Sequence, residues 1–179
     1  MLTLLNRQEI IDIYNKYMIE DFPPDELKPL SSILDMLSRG IYSCYGLFEG
    51  EKLLAYAYLT VLDDFVLVDY LAVTKTLRGG GIGTKLLTLL KELLKGKTIL
   101  IECENPLFAK ENQEKITQIR RLDFYKRNCF IQTNVTSVLF GVNYTILTYP
   151  ESSTASQGLN KVYLEMLGKD SCDKNLIIK

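Results

Sequence analysis

Arg78-Gly79-Gly80-Gly81-Ile82-Gly83 joins two stretches of opposite character. The apolar run Tyr70-Leu71-Ala72-Val73 precedes it, and a leucine-rich amphipathic segment follows from Ile82 through Leu94. That order reads as strand, glycine turn and helix start. An ordinary strand-to-helix loop needs one glycine at most, whereas four of the five residues 79–83 are glycine. Glycines adopt positive φ and let a ligand approach the backbone closely, and a helix start offers unpaired N–H groups at the positive end of its dipole. A phosphate is the natural guest.

Working outward, the helix after the turn places Leu86, Leu87, Leu90, Leu93 and Leu94 on one face and ends at Gly96. Residues 98–103, Thr-Ile-Leu-Ile-Glu-Cys, predict a short buried strand, parallel to the strand at 65–74 through a right-handed crossover. Upstream, 41–48 and 52–62 form a predicted antiparallel hairpin about Glu49-Gly50-Glu51. Asn6 and Glu9 predict a capping box opening a first helix to about residue 20. Pro24 is expected to open a second, with Leu27, Leu30, Ile33, Leu34 and Leu37 as its apolar face, ending at Gly40. Downstream come a helix at 113–128, with Ile116, Ile119, Leu122, Phe124 and Tyr125 apolar, and strands at 130–140 and 143–149 joined at Gly141. Ser152 to Gly158 reads as a flexible linker, followed by a short helix from Leu159 to Leu167 and a polar tail. The expectation is an α/β fold in a single domain over 1–150, with 151–179 as linker, short helix and tail. Its mixed central sheet is an antiparallel meander followed by a parallel strand pair, flanked by helices.

Composition narrows the partner. With 179 residues, 47% hydrophobic and 24% charged, the chain can bury one sizeable core. A net charge of −1 and a pI near 5.6 argue against bulk nucleic acid or an anionic membrane surface. The N-terminus turns polar at Asn6-Arg7, and no apolar run reaches the roughly 18 residues of a membrane span, so a cytoplasmic protein is expected. Cys44, Cys103, Cys129 and Cys172 are widely spaced, the first three reading as buried thiols, and there is no histidine. No metal site is therefore expected, and a general base must be a carboxylate, a tyrosine, a lysine or a water chain.

Three readings compete for the glycine turn. The Walker loop fails because Thr84 stands where its lysine belongs. A dinucleotide fingerprint begins at Gly81-Ile82-Gly83 and has Glu102 at a suitable distance for a ribose contact, but Leu86 replaces its last glycine. The third is a resemblance. Residues 78–83 are similar to the R-x-x-G-x-G pyrophosphate loop of the GCN5-related N-acetyltransferase (GNAT) superfamily, and Tyr70 to Val73 look like its central strand. Arg120 to Phe130, with Phe124-Tyr125 at its centre, resembles that family's F-Y-x-x-x-G-F segment, and the order of elements from about residue 3 to 149 also matches.

The resemblance implies an acyl-CoA N-acyltransferase fold. It also implies direct transfer of an acetyl group from acetyl-CoA, as co-substrate, to a small-molecule or peptide-borne amine in a ternary complex. Amides of Gly79, Gly80, Gly81, Ile82, Gly83 and Thr84, helped by Arg78, would take the pyrophosphate. Leu71, Ala72 and Val73 would pair with the pantetheine arm like an added strand, the thioester lying where the parallel strands splay. Tyr125 stands at the position of the acid that protonates the leaving thiolate. For the base the candidates are Glu102, Glu104, which shares its strand face by the period of two, Asp69 and a solvent chain. Glu20 and Asp21, between the first two helices, could help bind a cationic acceptor but read better as a solvated acidic turn. Where the family has glycine this chain has Cys129, and a positive φ there would strain the loop after Tyr125. An acyl-CoA-binding protein without transfer chemistry is the alternative from another class. The acceptor is not legible, and the tail after Pro150 could serve a homodimer or its own subunit.

Overall fold

The computed structural model describes every residue except Asp25. The chain divides into two compact units, Met1–Val61 with Asp69–Glu92, and Leu62–Val68 with Leu93–Lys179. In sheet order the strands are β1 (Leu2–Leu4), β2 (Tyr42–Glu49), β3 (Lys52–Val61), β4 (Phe65–Val73), β5 (Thr98–Glu104), β7 (Val142–Tyr149), β6 (Ile131–Leu139) and β8 (Leu176–Ile178).

In the first unit, β1 (Leu2–Leu4) pairs antiparallel with β2 (Tyr42–Glu49), which pairs antiparallel with β3 (Lys52–Val61) through the expected Gly50-Glu51 turn. The predicted capping box is present: Asn6 Oδ1 accepts from the Glu9 amide at 3.0 Å, and Glu9 Oε2 accepts from the Asn6 amide at 2.7 Å. Helix α1 (Arg7–Ile13) continues through a π-helical turn (Tyr14–Met18) into the short α2 (Ile19–Asp21), burying Ile10, Ile13 and Met18.

The second predicted helix starts later than expected. Helix α3 spans Leu30–Ser38 behind Pro29, not Pro24, and buries Ile33 and Met36. Pro29 has no N–H to extend a helix begun at Pro24, and it biases Lys28 away from helical geometry. Two tyrosines then hold the intervening backbone: Lys28 N–H donates to Tyr70 Oη at 2.8 Å, and Tyr14 Oη donates to the Lys28 carbonyl at 3.0 Å. Beneath this segment Tyr42, Tyr56, Tyr58, Tyr70 and Phe22 meet edge to face, with ring centroids 4.9 to 6.4 Å apart. Strand β4 (Phe65–Val73) leads to helix α4 (Ile82–Leu93), whose Leu86, Leu87 and Leu90 are buried.

In the second unit, the first half of β4 pairs parallel with β5 (Thr98–Glu104), from Phe65 opposite Thr98 to Val68 opposite Ile101. Helix α5 (Asn112–Arg127) is followed by β6 (Ile131–Leu139) and β7 (Val142–Tyr149), and β7 lies antiparallel between β5 and β6. Helix α5 buries Gln118 and Leu122 at i,i+4. Ile116 and Ile119, expected on its apolar face, are 49% and 41% exposed.

The expected linker and polar tail are replaced by structure. Helix α6 (Ala155–Leu167) begins inside the Ser152–Gly158 stretch and buries Ala155, Gly158, Leu159, Val162, Tyr163 and Met166. Helix α7 (Lys169–Asn175) and β8 (Leu176–Ile178) follow, and β8 adds antiparallel to β6. Gly158 is a packing residue: a Cβ there would fall 2.9 Å from Phe65 Cγ and closer still to Cδ1 and Cε1, so only glycine lets α6 sit this near the ring. Among the described residues, no helix is long and apolar enough to cross a membrane.

Candidate acyl-donor and catalytic residues

The glycine turn has the predicted geometry. Gly79 and Gly81 have φ of +84° and +79°, values that only glycine adopts readily, and a Cβ built on either would meet nothing within 4 Å. The first hydrogen bond inside α4 is donated by the Lys85 amide to the Gly81 carbonyl at 3.0 Å. The amides of Ile82, Gly83 and Thr84 therefore precede any intrahelical acceptor and lie at the positive end of the helix dipole.

Beside this turn is a cleft of about 280 Å³ lined by Gly80, Gly81, Ile82, Leu54 and Leu77 together with Lys52, Lys85 and Glu49. Backbone donors with two lysines fit a polyanion such as the diphosphate of coenzyme A. Helical spacing puts Lys85 off the leucine face, so the sequence marks it only as a solvent-facing helix residue. Lys52 carries no local signal, because it reaches the cleft through the register of the β2–β3 hairpin.

Arg78 is placed differently from a free phosphate ligand. Its Nη2 donates to Asp21 Oδ1 at 2.7 Å and its Nε donates to the Val73 carbonyl at 3.0 Å. Asp21, expected in a solvated turn, has a side chain only 4% exposed and also accepts from Tyr56 Oη at 2.9 Å. Glu20 is solvated as expected, paired with Lys75 at 3.1 Å. Of the strand residues expected to take the pantetheine arm, Ala72 is buried, while Leu71 and Val73 are half-buried.

The expected base candidates part company. Glu102 Oε1 accepts from Ser137 Oγ at 2.9 Å, and its Oε2 accepts from Tyr163 Oη. Glu104 instead pairs with Arg121 at 2.8 Å. The two carboxylates, expected to share a strand face, thus serve different helices. Asp69 is 8% exposed, pairs with Lys28 at 2.6 Å through Oδ1, and accepts from Tyr42 Oη through Oδ2.

Tyr125 is half-buried, with its ring 5.1 Å from Phe124 and 5.7 Å from Phe130. Burial, above all, raises its pKa above the ordinary tyrosine value; neighbouring Cys103 adds to this and the Arg121 charge opposes it. The phenol is therefore protonated at neutral pH. Cys103 itself is buried, and burial pushes its thiol up to about 12. Cys129 has φ of +64°, so the position does require the left-handed conformation, and this chain meets it with a side chain present. Cys129 is exposed, against the expectation of a buried thiol, and Cys172 is buried.

These features match known proteins. The profile of the acetyltransferase (GNAT) family matches residues 7–127. The chain belongs to that family. YjbC of Bacillus subtilis (strain 168) is 36% identical over 112 residues, which are 62% of this chain and 53% of YjbC, so the chain spans about half the length of that curated relative. A GNAT-family protein from Bacteroides thetaiotaomicron has the same fold, with a TM-score of 0.77 at 21% identity over 94% of this chain and 99% of that one. A Bacillus subtilis acetyltransferase solved in complex with CoA superposes with a TM-score of 0.54 at 17% identity, covering 82% of this chain and 95% of its own. For this GNAT chain the dinucleotide reading is withdrawn. Its sheet is a meander with one parallel pair, where a doubly wound fold would have a parallel sheet throughout.

Proposed function

We propose that this GNAT protein transfers an acetyl group from acetyl-CoA to an amine, small or peptide-borne, by direct attack. The observation that carries the reading is the start of α4, where three amides without intrahelical acceptors follow two glycines at positive φ. That arrangement holds an anion by backbone donors alone, and the GNAT structure solved with CoA supports a coenzyme A ester as the anion's source. When bound, the donor supplies an activated acyl group.

The residues of this chain divide the remaining work. Gly79 to Thr84 take the diphosphate, with Lys52 and Lys85 adding charge. Arg78 serves by clamping the turn to Asp21 as much as by touching phosphate. Leu71 to Val73 offer backbone groups to the pantetheine arm, and an N–H in this stretch stabilises the developing oxyanion. Tyr125, kept protonated by burial, returns a proton to the leaving thiolate.

The test is thiol release from acetyl-CoA over a panel of amines, run beside thermal unfolding with and without CoA. Release that needs an amine and drops about a hundredfold in Tyr125→Phe supports the assignment. Absence of any shift with CoA removes it. A binding protein without transfer is favoured by one observation, the engagement of both Glu102 oxygens. It predicts a CoA shift with no turnover on any amine.

A further inference from the structure

Lys28 lies in the segment between α2 and α3, and its ammonium is held by groups suited to an acceptor amine. Nζ is 2.6 Å from Asp69 Oδ1 and 5.2 Å from the centre of the Tyr70 ring. Its side chain is 25% exposed, against 8% for Asp69. The backbone beneath it is pinned three times: the Lys28 amide donates to Tyr70 Oη, Tyr70 Oη donates to the Glu26 carbonyl at 3.0 Å, and Tyr14 Oη donates to the Lys28 carbonyl. The amine is therefore presented from a fixed Cα and does not sweep through solvent on a mobile loop.

Asp69 precedes Leu71 by two residues on β4, roughly 7 Å along the strand. It is also the residue directly after Val68, where the ladder to β5 ends. If the donor's arm runs beside Leu71 to Val73, as the proposed function has it, the carboxylate that holds Lys28 stands next to the thioester. An amine and a buried base are already in contact there.

We propose that Lys28 Nζ is an acetyl acceptor, so that the protein acetylates itself at this position with Asp69 as the base. Asp69 Oδ1 takes one proton from the ammonium. The freed nitrogen lone pair forms the N–C bond to the thioester carbonyl carbon, and the C–S bond breaks with its electron pair on sulfur. Tyr125 gives its proton to the leaving thiolate, the second nitrogen proton restores the phenol by way of solvent, and the proton on Asp69 passes to solvent. The product is a neutral amide that no longer compensates Asp69, so the modification changes the charge of the α2–α3 segment at its anchor. The inference rests on the donor reading of the glycine turn.

The experiment incubates the intact folded protein with acetyl-CoA and maps acetylation by peptide mass. Thermal shift with CoA is measured in parallel. The expected result is acetyl on the peptide bearing Lys28 ahead of peptides bearing Lys52, Lys85 and Lys91. Its rate per molecule should be unchanged on dilution, and it should fall about a hundredfold in Asp69→Asn while the CoA shift persists. Lys28→Arg, which keeps the ion pair and hence the fold, should lose that acetyl alone. A CoA shift with Lys28 unmodified, or with exposed lysines modified first, overturns self-acetylation and leaves the acetyltransferase reading standing. No CoA shift overturns both.

Discussion

Arg78 and Asp21 form an ion pair at 2.7 Å that ties the first residue of the glycine turn to the end of the first helical segment. Asp21 is 4% exposed and Arg78 52%, so the carboxylate is the fixed partner and the arginine folds in to meet it. The pair, with the Arg78 bond to the Val73 carbonyl, fixes the first residue of the turn through its side chain.

If this clamp matters for the donor, Asp21→Ala and Arg78→Ala should each weaken CoA binding, and the double variant should be no weaker than the worse single one. Asp21→Ala should also lower stability by about 1–3 kcal/mol, because the buried Tyr56 hydroxyl loses its acceptor. Calorimetric titration with CoA over the four proteins of the cycle reads the coupling; simple additivity would show that Arg78 acts on phosphate alone.

Glu102 is expected to be an anchor for α6. Glu102→Gln should leave amine-dependent thiol release nearly unchanged while lowering urea stability by about 1–3 kcal/mol. Tyr163→Phe should lower it in the same way, since its hydroxyl bonds the same carboxylate. A large loss of turnover with intact stability would instead return Glu102 to the role of base.

Gly158→Ala should destabilise by about 1–3 kcal/mol, because the new methyl would overlap the Phe65 ring. Pairing it with Phe65→Leu should recover part of that loss in thermal unfolding. A flexible linker at 152–158 would have tolerated the change.

Cys129→Gly should stabilise by about 0.5–1 kcal/mol. The relief of a left-handed conformation, about 1–2 kcal/mol, is partly offset by the greater backbone entropy of glycine in the unfolded chain. Urea unfolding of the two proteins side by side measures the difference.

Stability should fall at alkaline pH. Burial raises Cys44, Cys103, Tyr42, Tyr56, Tyr58, Tyr70 and Tyr125 above their ordinary values. As pH rises, the unfolded chain releases these protons first, so it binds fewer protons than the native state and the slope of stability against pH is negative. The loss should begin near the ordinary thiol range, about pH 8.5, and steepen above about pH 10 as unfolded tyrosines ionise. Urea midpoints measured from pH 7 to 11 should trace this, and Tyr58→Phe should flatten the upper limb.

Local chemistry made much of this protein legible in one dimension. Residues 70–94 carry their own instructions: an apolar run, glycines that alone tolerate positive φ, then leucines at helical spacing. The Asn6–Glu9 box and the Glu49 to Lys52 turn are equally self-contained. Cys129 belongs with them, since the family pattern marked a position where a side chain would be strained.

What tertiary structure decided were the partners of polar and small residues, because a carboxylate or a glycine does not encode what will pack against it. Asp21 looked solvated until Arg78 and Tyr56 closed on it. Glu102 and Glu104 shared a strand period yet went to different helices. Gly158 looked like a linker until Phe65 filled the space its missing Cβ leaves. Lys28 sits in a stretch without a motif and gains meaning only from Asp69, forty-one residues away in sequence and 2.6 Å away in space. The turn proposed to bind the donor is written in consecutive residues, whereas the groups proposed around an acceptor converge from distant ones, and that convergence is a property of the packed chain.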